Sequence, residues 1–106
     1  MDSKEEVLKE LKRRLLSAFN EANEKNMNLK EMGKILQNDP EWFNKIRGLT
    51  KSFVASALIK LRENNLLHLS MEQVIIDYKE CHEFFNEEEL EMCREKLKWK
   101  NKPYNS

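Results

Sequence analysis

The chain has 106 residues, 40% of them apolar and 36% charged, and its 19 basic side chains balance its 19 acidic ones. That length supports one domain with one modest core. Two glycines and two prolines argue against a loop-rich enzyme, a glycine-lined phosphate site or a turn-rich all-β fold, and no apolar run of about 18 residues exists to span a membrane.

The first helix is expected to start at Ser3, which has capping-box spacing to Glu6. Leu8, Leu11, Leu15, Ala18 (or Phe19) and Ala22 then recur at helical spacing and give one long apolar stripe. The Asn-rich stretch from Asn20 to Asn28 should fray its end, because Asn prefers caps and turns. Asn28 and Glu31 repeat the capping pattern before a short helix with Leu29, Met32, Ile35 and Leu36. At Asn38-Asp39-Pro40, Asp39 is placed to cap and Pro40 suits a first helical position. Trp42, Phe43 and Ile46 predict a two-turn helix that Gly48 ends as a left-handed stop.

Thr50 is read as the cap of a longer helix with Val54, Ala57, Leu58 and Leu61 on one side. Asn64-Asn65 closes it, Asn being the best non-glycine residue for positive φ. Ser70 and Gln73 form another capping pair. Met71, Val74, Ile75, Tyr78, His82 and Phe85 share one helical face, which predicts a fifth helix to about Phe85. Leu66 to Leu69 and Val74 to Tyr78 are also rich in β-formers, so a small hairpin over 66–78 is the alternative there. Asn86 and Glu89 open a sixth helix with Leu90, Cys93 and Leu97 inward. Residues 100–106 lack apolar periodicity and read as a loose tail behind a single helical domain, 1–99. The expected fold class is therefore all-α, a single-domain bundle of about six short helices.

The balanced charge is unevenly spread. Residues 28–62 carry seven basic side chains against three acidic ones, net +4, and residues 63–98 carry ten acidic against four basic, net −6. One reading is a basic middle that meets phosphate or an acidic protein, and an acidic end that meets something basic. The other is that acidic helices pack beside basic ones and consume the asymmetry inside the domain. Glu87, Glu88, Glu89 and Glu91 also favour the positive end of their own helix.

Residues 29–69 resemble the helix-turn-helix and winged-helix families. The resemblance is carried by LKEMGKIL and by LTKSFVASALIKLRENNLLHLS, with Leu61-Arg62-Glu63-Asn64-Asn65-Leu66-Leu67 matching the usual end of a recognition helix. It implies that Lys51, Ser52, Ser56 and Lys60 lie on an outer face that enters the major groove of duplex DNA. The acidic final helices would then face away from DNA.

Chemistry is sparsely signalled. His68, Cys81, His82 and Cys93 are the soft-ligand candidates, in no paired zinc spacing. On a helix, Cys81 and His82 would point about 100° apart. The cysteines read as small buried apolar residues, and no catalytic residue, metal ligand or cofactor is expected. Trp42 and Phe43 read as a core plug, whereas Trp99, beside Lys98 and Lys100, suits a partner contact. The leading functional expectation is a small non-enzymatic interaction module, a regulator or inhibitor binding a larger protein through Glu88, Glu91 and Trp99. The DNA-binding regulator is the alternative, and a homodimer is left open. Two cysteines and a charged first segment place the expected setting inside the cell, in the cytoplasm.

Overall fold

A computed structural model describes residues 3–27, 29–51 and 56–98, the side chains of Ser3 and Ser56 excepted. The first helix, α1 (Ser3–Glu24), turns its stripe inward: Leu11, Leu15, Ala18, Phe19 and Ala22 are all buried. The Asn-rich stretch does not fray this helix but stops it. Asn26 adopts φ 65°, the Met27 N–H returns to the Ala22 carbonyl, and the Asn26 N–H returns to that of Asn23, each at 3.0 Å. This left-handed stop satisfies two carbonyls that the helix end would otherwise orphan. On the outer face of α1, Arg13 and Arg14 both donate to Glu10 and hold its carboxyl down to about 2.

Helix α2 (Lys30–Asn38) buries Gly33 and Leu36. The cap expected of Asn28 lies outside the described residues. Asp39 then makes a turn: its Oδ1 accepts the Glu41 N–H at 2.8 Å, its carboxylate pairs with Lys45, and its carbonyl accepts the Trp42 N–H. Pro40 sits inside that turn, and α3 (Trp42–Thr50) begins only after it.

Two expectations fail at the end of α3. Gly48 is not a left-handed stop, since no described glycine has positive φ and the helix runs on to Thr50. Thr50 is not the cap of the next helix. It is fully buried, and its hydroxyl donates to the Arg47 carbonyl at 2.6 Å, one turn back in its own helix. Helix α4 is described over Ser56–Glu63. It ends as expected on an asparagine: Asn65 has φ 61°, the Leu66 N–H reaches the Leu61 carbonyl at 2.7 Å, and the Asn65 N–H reaches that of Arg62.

There is no strand among the described residues, so the hairpin alternative over 66–78 is excluded. Leu67–Leu69 is a 3-10 turn, and Ser70 Oγ then accepts the Gln73 N–H at 3.0 Å to start α5 (Met71–Asp77). That helix stops eight residues before the expected Phe85. Tyr78 leaves helical geometry (φ −98°, ψ 84°), and Lys79–Phe84 continues as a 3-10 segment. The reason lies in the Ile75 carbonyl, left open where α5 ends. Cys81 Sγ lies 3.7 Å from it and His82 Nε2 lies 2.8 Å from it. The acceptor is a carbonyl, so Nε2 carries the ring proton. Two adjacent side chains thus reach one acceptor. Helix α6 (Glu87–Lys98) completes the bundle.

The main core joins Leu11, Leu15 and Phe19 of α1 to Leu36, Ile46, Ile75, Tyr78, Cys81, Phe85, Leu90 and Cys93. Helix α5 lies against both α1 and α6, and α3 lies against α6. A smaller cluster of Ala18, Ala22, Met27, Leu61 and Leu69 seats α4. Trp42 and Phe43 pack on the core as expected, with Phe43 edge-on to Phe84 and Phe85. No helix among the described residues is long and apolar enough to cross a membrane.

The two glycines give opposite predictions. A Cβ at Gly33 would sit 2.6 Å from the Phe19 ring, whereas one at Gly48 meets nothing within 4 Å. Gly33→Ala should therefore destabilise by about 1–3 kcal/mol through overpacking. Gly48→Ala should stabilise by about 0.5–1 kcal/mol, because it replaces a helix-interior glycine. Denaturant titration measures both, and a loss of stability in Gly48→Ala would mean that the residue is a stop after all.

Candidate functional site

The acidic run that opens α6 is sorted by direction. Glu89 is 1% exposed, while Glu87, Glu88 and Glu91 face solvent. The Glu89 side chain accepts the Asn86 N–H at 2.9 Å, and Asn86 Oδ1 accepts the Glu89 N–H at 2.8 Å. This is the reciprocal cap that the spacing promises. The same carboxylate takes Arg47 Nε at 3.1 Å on both oxygens and has Lys51 Nζ at 3.8 Å. Two cations of the basic middle are thus spent on the acidic end, across the α3–α6 contact. Sequence spacing could flag the cap but not a partner 42 positions away.

A second buried pair lies nearby. Lys96, 1% exposed, has its Nζ 2.8 Å from Glu72 and donates to the Leu49 carbonyl at 3.2 Å. Arg62 Nη2 donates to the Lys96 carbonyl at 3.0 Å. Helices α3, α4, α5 and α6 all meet at this lysine. Nothing in the sequence marked Lys96 or Glu72, since a charged residue on an amphipathic helix is ordinarily solvated.

Of the residues expected to bind protein, Glu88 and Glu91 lie three apart on one exposed face of α6. Glu91 pairs with Arg94 at 3.2 Å, and Glu88 has no ion-pair partner among the described residues. Trp99 lies outside the described residues. Of those expected to meet DNA, Lys51 is exposed but turned toward Glu89, and Lys60 is on α4. Ser56 opens α4 with its side chain outside the described set, and Ser52 lies wholly outside it.

Lys60 also borders a feature without a sequence signature, an apolar groove of about 360 Å³. Leu15 and Phe19 of α1, Met32 of α2, Leu58 and Leu61 of α4 and Met71 of α5 form its walls. Lys30, Glu31 and Lys60 edge it, and the Glu72–Lys96 pair closes one side. Leu49, at 38% the exposed large apolar side chain among the described residues, also lines it. Six separated segments build this groove, so no local pattern announces it.

The remaining chemistry is muted. No group of three or more His, Cys, Asp or Glu among the described residues is arranged to hold a metal ion. Burial pushes the thiols of both Cys81 and Cys93 up to about 12, which keeps them protonated and poorly nucleophilic at neutral pH. Compared with known proteins, the chain matches no family model, no curated sequence and no solved structure.

Two predictions follow the buried groups. Glu89→Ala removes both cap and ion pairs and should cost about 2–3 kcal/mol. Glu89→Gln retains the cap and should cost about 1 kcal/mol, because Arg47 and Lys51 can turn to water. Glu88→Gln should change stability by less than about 0.5 kcal/mol, and equal losses at 88 and 89 in chemical denaturation would refute the sorting. For the thiols, native protein at pH 8 should react with a disulfide reagent about a thousandfold slower than unfolded chain. Each native thiol keeps a proton that the unfolded chain releases, so this stability is complete below the ordinary value of 9 and declines as pH climbs toward about 12. Rapid labelling of the native state would contradict the burial.

Proposed function

We propose that the protein is a small non-enzymatic interaction module, a regulator or inhibitor that binds a larger protein through its charged helix faces. The observation that carries this reading is the sorting of carboxylates on α6. Glu89 is turned inward and holds α3 against α6, whereas Glu88 and Glu91 are turned outward and support no packing. Glu88 has no ion-pair partner among the described residues and Glu91 pairs only with Arg94 on its own helix, so this exposed face remains open to a basic surface, where charge speeds encounter and fixes register. Trp99 follows α6 directly in sequence, and tryptophan is a residue type enriched among interface anchors. A cytoplasmic setting accords with two free, buried thiols.

The test is charge reversal on the exposed face. The wild-type protein is expected to hold one stoichiometric protein partner, with affinity reduced about tenfold or more by Glu88→Lys combined with Glu91→Lys. Helical circular dichroism should be unchanged in that variant. Undiminished binding by the double variant would discard the acidic-face reading. Binding of duplex DNA that weakens steeply with salt and is lost in Lys60→Glu would put the helix-turn-helix reading in its place.

A further inference from the structure

We propose that the groove between α1, α2, α4 and α5 binds one molecule of a long-chain amphipathic monocarboxylate. Its alkyl chain lies among Leu15, Phe19, Leu58 and Met71, and its carboxylate meets Lys30 and Lys60 at the mouth. This site is separate from the exposed face of α6.

Three observations point to that ligand class. The first is size: about 360 Å³ falls at the lower end of small-molecule sites, roughly 300–1,000 Å³. Helical bundles place such sites between their helices. The second is depth. Leu15, Leu58, Leu61 and Met71 line the groove, yet each is at most 9% exposed. Walls set this deep present little to the broad face of a partner helix. Two methionine thioethers, Met32 and Met71, can adapt to a flexible aliphatic guest.

The third observation is charge. Glu72 and Lys96 satisfy each other in the wall. Lys30 and Lys60 are exposed and form no ion pair among the described residues, and the same holds for Glu31 beside them. Two ammonium groups against one carboxylate leave the mouth positive. A guest with an apolar body and an anionic head complements that arrangement, whereas a cationic head opposes it. Lysine suits the task as a mobile point charge on a flexible stem.

The full chain is titrated calorimetrically with dodecanoate below its micelle concentration, and in parallel with dodecanol. Dodecanoate is expected to bind one to one, about five- to tenfold more tightly than the alcohol. Lys30→Ala combined with Lys60→Ala should lower dodecanoate affinity to that of the alcohol and leave the alcohol unchanged. Ala57→Trp places bulk at an exposed lining position and should abolish binding of both ligands, with helical circular dichroism retained. Glu88→Lys with Glu91→Lys should bind dodecanoate normally, which separates this site from the protein-binding face. Absence of binding by the wild-type chain, equal affinity for acid and alcohol, or unimpaired binding by Ala57→Trp would each overturn the proposal. So would binding gained only in Phe53→Ala, which would assign the groove to the chain's own stretch between Leu49 and Ala57.

Discussion

A lysine side chain taken almost wholly out of water constrains much of this molecule. An unpaired ammonium in the interior is prohibitively costly, so Lys96 must find acceptors wherever α6 comes to rest. It finds Glu72 in the first turn of α5 and the Leu49 carbonyl in the last turn of α3. Both choices are electrostatically consistent: an acidic residue favours a helix start and a cation favours a helix end. Meeting them together fixes the end of α3, the start of α5 and the last turns of α6 relative to one another. The Arg62 bond to the Lys96 carbonyl adds α4. The groove is then the space that remains when these four ends converge beside α1.

The second charged junction, at Glu89, works at the other end of α6. One carboxylate serves as a cap for its own helix and as a counter-ion for Arg47 and Lys51 of the α3 end. Together the two junctions explain how a chain with zero formal charge and a strongly uneven distribution folds onto itself. Part of the basic middle is neutralised by the acidic end. Glu88 on α6 and Lys30 and Lys60 at the groove are among the exposed charges that take no part in these two junctions.

Legibility in the sequence followed the range of the interaction. The α1 stripe, the Ser70–Gln73 and Asn86–Glu89 caps and the Asn65 stop are decided within a few residues, and each was readable. Gly48 was misread because a glycine permits a left-handed stop without requiring one. Burial of Thr50 and its bond to the Arg47 carbonyl carry the helix past it. The 3-10 segment reads as helix in the sequence because Tyr78, His82 and Phe85 recur at α-helical spacing, which does not register the contacts that gather at the Ile75 carbonyl. The groove and the Lys96 junction were invisible for a different reason. They are made by residues from segments far apart in the chain, and their charged members look like ordinary surface residues one at a time.

The Lys96–Glu72 pair also bears on how the molecule responds to warming. Hydration of free ions carries a strongly negative entropy, so the cost of withdrawing these two groups from water shrinks as temperature rises. Apolar burial follows a different course, with a driving force per unit area that levels off. The junction of α3, α5 and α6 should therefore gain relative to the Leu- and Phe-lined core on heating. Thermal opening then starts elsewhere, at elements such as α4, whose seating is chiefly aliphatic, and the groove wall that carries the pair is among the last parts to come apart.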